Sequence, residues 1–132
     1  MKKMVLDTNA YARLLTGNTD VLTAVASAEL IYMSIFVLGE LYAGFAGGVK
    51  QRENKVILNR FLSKPSVKIL HATSETAEIF GVLKNDLKQF GTPLPINDVW
   101  IAAHAIETGS VIVTFDQHFR KISGIRLWDD MP

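Results

Sequence analysis

Short apolar runs alternate with longer amphipathic segments along the whole chain. The apolar runs predict strands at residues 4–6, 31–33, 67–70, 111–115 and, more briefly, 125–127. The amphipathic segments predict helices at residues 10–15, 21–28, 35–46, 50–62, 74–91 and 97–109. Polar caps or glycines mark the expected helix ends: Thr19 or Asp20, Ser34 and Asn97 at starts, Gly91 and Gly109 at stops.

This alternation predicts an α/β domain. Strands joined by helices pair in parallel, and short, wholly apolar strands are typical of a sheet whose two faces are both covered. Ligands of such sheets bind outside the carboxyl ends of the strands, where the strand order reverses. A chain of 132 residues has the size of one domain, and we expect residues 1–132 to form a single unit.

Composition excludes several classes of protein. The 48% hydrophobic and 20% charged residues are typical of a globular chain, and a net charge of +1 is no global signature of nucleic-acid binding. The absence of cysteine excludes disulfides, thiolate catalysis and thiolate metal sites. No signal peptide is apparent, and the longest nearly apolar run, residues 30–39, is about half of what spans a bilayer. We therefore expect a soluble, cytoplasmic protein.

Acidic residues follow two of the apolar runs and lie in two of the helices. Asp7 and Asp116 come directly after predicted strands, so their carboxylates converge if those strands are neighbours. Glu40 lies in an almost wholly apolar segment, where an unpaired carboxylate is costly to bury and calls for a cation. Asp98 opens the last long helix, after the rigid segment 92–95.

Each acid taken alone also has a purely structural interpretation. Asp98 suits a first helical turn through the helix dipole. Asp7 or Asp116 suits a turn at a strand end through its own side-chain hydrogen bonds. Glu40 suits a solvated helix stripe, although its apolar neighbours leave little room for one. The four acids together, all expected at one edge of the sheet, favour a shared site.

A cluster of four carboxylates requires positive charge. Two unit charges about 4 Å apart repel by roughly 4 kcal/mol at an effective dielectric constant of 20. An all-oxygen site with no cysteine selects hard divalent ions such as Mg²⁺ or Mn²⁺. Such ions leave coordination positions open for phosphate oxygens and support phosphodiester hydrolysis. The pattern therefore predicts metal-dependent chemistry on a phosphodiester.

The segments "MVLDTNAY", "SIFVLGELYAGF", "PINDVWIAAHAIETG" and "VIVTFDQHF" resemble, in order and spacing, the four acidic motifs of PIN-domain ribonucleases. The chain is most similar to VapC-type toxins of bacterial toxin–antitoxin pairs. This resemblance implies a three-layer α/β/α sandwich around a short, mostly parallel sheet of four or five strands. It also implies that the acids bind Mg²⁺ or Mn²⁺ and activate water to cut RNA. The implied partners are an RNA substrate, an antitoxin protein and a second copy of the chain, with no membrane.

The resemblance assigns catalytic and metal-binding roles to the four acids. These are Asp7, Glu40, Asp98 and Asp116, with Asp7 and Asp98 as direct ligands. Thr114 and Asn9 match polar positions that orient the carboxylates or the bound water, and strand alternation places Thr114 on the side of Asp116. We interpret Asn97 as a helix cap and His118 as a structural or surface residue.

Other classes of function also fit parts of the sequence. A haloacid-dehalogenase-like phosphotransfer domain has an aspartate after its first strand but needs a second one two residues later, where this chain has Asn9. A catalytically silent PIN-fold interaction module would be expected to lack one or more of the acids, and this chain has all four. A PIN nuclease of RNA processing, outside any toxin–antitoxin pair, shares every feature that favours the toxin.

Overall fold

The computed structural model describes residues 2–130. The strands are β1 (Lys3–Leu6), β2 (Leu30–Ser34), β3 (Val67–Leu70), β4 (Val111–Val113) and β5 (Arg126–Leu127). The α-helices are α1 (Thr8–Leu15), α2 (Thr19–Ser27), α3 (Ile35–Ala46), α4 (Gln51–Leu62), α5 (Ser74–Gln89) and α6 (Ile96–Thr108). Two short 3₁₀ helices follow, η1 (Gln117–Lys121) and η2 (Trp128–Asp130).

The strands form one parallel sheet in the order β3-β2-β1-β4-β5. The chain moves outward from β1 to β3, returns through α5 and α6 to the other side of β1, and then continues outward to β5. Because parallel crossovers are right-handed, connections that run in opposite directions lie on opposite faces of the sheet. The predicted α/β class with a parallel sheet of four or five strands is confirmed.

The central strands are covered on both faces. Met4, Val5 and Leu6 of β1 have no exposed surface, and the three residues of β4 are at most 2% exposed. Side chains alternate between the two faces of a strand, so burial of consecutive residues requires a helical layer on each side. This explains the unbroken apolar runs of the sequence and agrees with the expected three-layer sandwich.

Three local predictions are wrong in detail. Helix α2 is capped by Asn18, whose side chain accepts from the Val21 N–H at 3.0 Å, and not by Thr19 or Asp20. Helix α6 starts one residue before Asn97, because the Pro95 carbonyl already accepts from the Asp98 N–H at 3.0 Å. Strand β4 ends at Val113, so Thr114 lies in the following loop.

Helices α5 and α6 also bring an aromatic group near the sheet edge. Trp100 of α6 stacks between Phe36 of α3 and Phe80 of α5, with ring centroids 4.8 Å and 3.9 Å away. This stack ties α6 to both neighbours and so fixes the helix that presents Asp98. Across residues 2–130, no helix has the length and apolar character needed to cross a membrane.

Candidate metal and nuclease site

Strands β1 and β4 lie side by side, and the strand order reverses between them. Leu6 is paired with Val113, and the Asp7 N–H continues the ladder by donating to the Val113 carbonyl at 3.3 Å. The connections after β1 and after β4 therefore leave the sheet in opposite directions from one crevice. This is where ligands bind to open parallel sheets.

Asp7 lies at the centre of this crevice and uses both carboxylate oxygens. It is 3% exposed, and its Oδ1 accepts from the Ala10 N–H at 2.8 Å, which caps α1. Its Oδ2 accepts a hydrogen bond from the Thr114 hydroxyl on the neighbouring strand end. The turn-shaping interpretation of Asp7 is confirmed by the cap on α1, and the second oxygen joins Asp7 to the end of the neighbouring strand.

Thr114 connects Asp7 with the loop that carries Asp116. Its hydroxyl accepts from the Asp116 N–H at 3.0 Å while donating to Asp7. Its carbonyl accepts from the indole N–H of Trp128 at 2.8 Å. The Trp128 ring also meets Phe115 edge to face, with centroids 5.4 Å apart. The loop is therefore held by contacts on several sides, which limits the positions open to Asp116.

Asp98, Asp116 and His118 form a second cluster at the same edge of the sheet, here called the acidic group. The His118 Nε2 lies 2.6 Å from Asp98 Oδ2 and 4.0 Å from Asp116 Oδ2. One ligand atom from each of the three lies within 4.8 Å of the others. Asp98 comes from the first turn of α6 and the other two from the start of η1, so two distant segments converge here.

The electrostatics of the site are those of crowded carboxylates. The pKa of Asp7 is raised from 3.8 to about 6, mainly by burial. The hydrogen bonds from Thr114 and Ala10 oppose this rise, and the charges of Asp116 and Asp98 contribute to it. Burial also raises the pKa of Asp98, with Asp116 adding to the shift and the His118 hydrogen bond opposing it. Both shifts come mainly from burial, which disfavours the charged carboxylate, and a bound cation would favour the charged form again.

The Glu40 side chain is not buried, although its neighbours in sequence are apolar. The side chain is exposed, and its Oε1 accepts a hydrogen bond from the Thr8 hydroxyl at 3.1 Å. The expectation that burial forces a cation on Glu40 is wrong, because this carboxylate faces solvent from α3. It still lies beside the crevice, since Thr8 directly follows Asp7.

The other residues considered for the site differ in their surroundings. Asn9 is exposed, and no hydrogen bond joins its side chain to a carboxylate among residues 2–130. His118, which we interpreted as a structural or surface residue, is half-buried and lies with Asp98 and Asp116 in the acidic group. The sequence feature that indicates this placement is the position of His118 two residues after Asp116, at the edge of the sheet where ligands are expected. Thr8 and Trp128 carried no comparable signal, because their contacts are tertiary.

The acids fit a hard divalent ion. Carboxylate oxygens are the preferred ligands of Mg²⁺ and Mn²⁺, and Asp7, Asp98 and Asp116 all lie at one edge of the sheet. Imidazole is a softer ligand, so His118 is better suited to orient Asp98 through its hydrogen bond.

Comparisons with known proteins agree with the fold. A family model described as PIN domain matches residues 4–125, and the chain belongs to this family. Ribonuclease VapC2 of Rickettsia felis is 30% identical over 132 residues, covering 95% of this chain and 97% of the relative. The tRNA(fMet)-specific endonuclease VapC of Salmonella typhimurium is 28% identical and covers 98% of each chain.

Solved structures show the same similarity over nearly the whole fold. VapBC2 from Rickettsia felis, bound to a DNA fragment from its promoter, matches with a TM-score of 0.84 and 26% identity, covering 95% of this chain and 96% of the other. DNA-bound VapBC from Salmonella typhimurium matches with a TM-score of 0.83 and 27% identity, covering 96% and 97%. The predicted resemblance to PIN-domain proteins of the VapC type is confirmed.

Proposed function

We propose that this protein is a metal-dependent endoribonuclease that acts as the toxin of a toxin–antitoxin pair. The observation that carries the proposal is the convergence of Asp7, Asp98 and Asp116 where β1 and β4 reverse the strand order. Relatives named ribonucleases VapC, similar over nearly the full chain, support the substrate class. The single domain covers residues 1–132 and works in the cytoplasm.

In this proposal the acids would hold Mg²⁺ or Mn²⁺, which would supply Lewis-acid chemistry toward the phosphate and the attacking water. Asp7 and Asp98 are direct ligands, with Asp116 beside them. Thr114 orients Asp7, and His118 orients Asp98 through the 2.6 Å contact. Glu40 acts from the rim of the crevice through Thr8, and Asn9 remains a proposed contributor at the same rim.

The antitoxin partner is supported by the similar VapBC structures and by an apolar groove. A cavity of about 540 Å³ lies between α1, α2 and α4, with Leu14, Leu22, Val25 and Phe61 among its apolar lining residues and Arg60 and Lys64 among its polar ones. Leu15 and Leu22 are 50% and 43% exposed there. Exposed Ile35 and Tyr42 on α3 support a homodimer.

The decisive experiment measures RNA cleavage by the purified protein. Wild-type protein should cut single-stranded RNA with Mg²⁺ or Mn²⁺ and lose the activity in chelator, and Asp98→Asn should be inactive while still folded. Cleavage that persists in chelator, or in folded Asp98→Asn protein, would contradict the metal-site assignment.

The toxin assignment needs a separate test in cells. Expression alone should stop growth, co-expression of a small protein encoded beside it should restore growth, and Asp98→Asn should be harmless. An active nuclease that is harmless at high expression would instead be a PIN nuclease of RNA processing. A metal-binding protein with no cleavage of any RNA would be an interaction module, and phosphorylation of Asp7 would indicate phosphotransfer.

A further inference from the structure

A small cavity lies between the end of α5 and the end of η1. Its volume is about 190 Å³. Its base is apolar and is formed by Leu83, Leu87 and Ile122, which are at most 6% exposed. Pockets for drug-sized ligands usually measure about 300–1,000 Å³, so this cavity suits a single planar ring system.

The chain segments that form the two walls of the cavity also carry residues of the candidate site. One wall is Phe90, from which the chain runs through residues 91–95 into α6 and Asp98. The other wall is Lys121, the last residue of η1, whose first turn contains His118. Since His118 is hydrogen-bonded to Asp98, the two segments that carry these walls are joined at the acidic group. Five residues of 3₁₀ helix span about 10 Å, so the cavity is near that group.

The polar and aromatic groups around the cavity are free to meet a ligand. The Phe90 side chain is 80% exposed although it stands above a buried apolar base. Lys121 is exposed, and Asp86 is half-buried with its side chain lining the cavity. In the described part of the chain, no hydrogen bond or ion pair engages the Asp86 carboxylate or the Lys121 ammonium group.

We propose that this cavity binds one unpaired base of the RNA substrate, close to the scissile phosphate. The base stacks on the Phe90 ring, the Asp86 carboxylate accepts from an amino group of the base, and Lys121 contacts a neighbouring phosphate. Single-stranded RNA is recognised in this way, by stacking on aromatic side chains and hydrogen bonds to the base edge. The inference rests on the proposed ribonuclease function and adds a specificity site to it.

The Asp86 carboxylate also predicts which bases are accepted. A carboxylate only accepts hydrogen bonds, and adenine, cytosine and guanine each offer an exocyclic amino group. Uracil offers carbonyl oxygens on both sides of its one ring N–H, so a carboxylate repels this edge. The subsite therefore selects a base with an amino group and rejects uracil.

The test uses short single-stranded RNAs in which each position next to the cleavage site is varied in turn. At one position, wild-type protein should cleave uracil-containing RNA least efficiently. Phe90→Ala should lower kcat/KM by about 5- to 150-fold, mainly through KM, because stacking is lost. Asp86→Asn should relax the discrimination against uracil, since an amide also donates hydrogen bonds.

The matched control is Val82→Ala, which removes from the same helix a 62% exposed apolar side chain that does not line the cavity. It should cleave like wild type, and Mn²⁺ affinity should be unchanged in all three variants. If wild type cleaves RNA but Phe90→Ala and Asp86→Asn keep its kcat/KM and base preference, the subsite is refuted and the nuclease function stands. If these variants weaken only the binding of a protein partner, the cavity is a protein-binding site and the inference is also overturned. Absence of cleavage by wild type would refute the proposed function itself.

Discussion

The Thr114 hydroxyl donates a hydrogen bond to the Asp7 carboxylate across 107 residues of sequence. The same hydroxyl accepts from the Asp116 N–H at 3.0 Å, so one small side chain sets the relative position of two acids. Each of these acids follows a strand, and β1 and β4 are adjacent. Through this contact, the pairing of β1 with β4 fixes the relative positions of Asp7 and Asp116.

Removal of this hydroxyl should weaken metal binding without unfolding the protein. Thr114→Val leaves the volume nearly unchanged but deprives Asp7 of a donor that lowers its pKa. Groups that orient metal ligands typically contribute about 10- to 100-fold in metal affinity or activity. We expect losses of that size in Mn²⁺ affinity by calorimetry and in RNA cleavage. Thr114→Ser should restore both, and wild-type affinity in Thr114→Val would show that the hydroxyl has no orienting role.

The raised pKa of Asp7 predicts how the stability of the metal-free protein depends on pH. The pKa of the Asp7 carboxyl is about 6 in the folded protein and 3.8 for the free group. Between these two pH values the folded state therefore binds more protons than the unfolded state. The free energy of unfolding therefore falls as pH rises through this window, by roughly 3 kcal/mol for the whole shift. In chelator, Asp7→Asn should abolish this part of the decline and be more stable than wild type above pH 6. Asparagine still caps a helix, so α1 keeps its start.

Urea unfolding at a series of pH values from 4 to 8 checks this expectation. Glu78→Gln, at an exposed carboxylate on α5, is the matched control and should keep the wild-type pH dependence. If Asp7→Asn shows the same decline as wild type, burial does not perturb the Asp7 carboxyl in the way its surroundings indicate.

Divalent metal should stabilise the protein by mass action. An ion that binds only the folded state adds about 2.7 kcal/mol at a concentration 100 times its Kd. The melting temperature of wild type should therefore rise with Mg²⁺ or Mn²⁺, and the rise should vanish in an Asp7→Asn/Asp98→Asn double variant. A flat titration up to millimolar metal in wild type would mean that the acids do not bind an ion together.

Trp128 should affect activity although it lies outside the acidic group. Its indole N–H holds the Thr114 carbonyl at 2.8 Å, and Trp128→Phe removes this bond while keeping an aromatic ring against Phe115. We expect about 0.5–1.5 kcal/mol of lost stability and a several-fold fall in RNA cleavage. The comparison is Thr108→Val, which breaks hydrogen bonds at the opposite end of α6. Equal cleavage rates in the two variants would show that Trp128 is only a stabilising residue.

Much of the site was visible in the sequence because it depends on local pattern. Asp7 and Asp116 each directly follow an apolar run, and the structure places both acids at the carboxyl-end edge of the sheet, as expected. The position of Asp98 in the first turn of α6 also followed from sequence, although the start of that helix was misjudged by one residue. The pairing of Asp98 with His118 did not follow, since it joins residues from two segments that meet only in the fold.

The sequence by itself determined the alternation of strands and helices, the parallel sheet and the presence of acids at strand ends. These properties depend on periodicity and on the burial of consecutive apolar residues, which any chain with this pattern must satisfy. Only the tertiary structure decided that β1 lies beside β4, that Thr114 reaches Asp7 and that Glu40 faces solvent. The physical reason is that side-chain contacts across the sheet depend on strand order and register, and these are set by the packing of the whole domain.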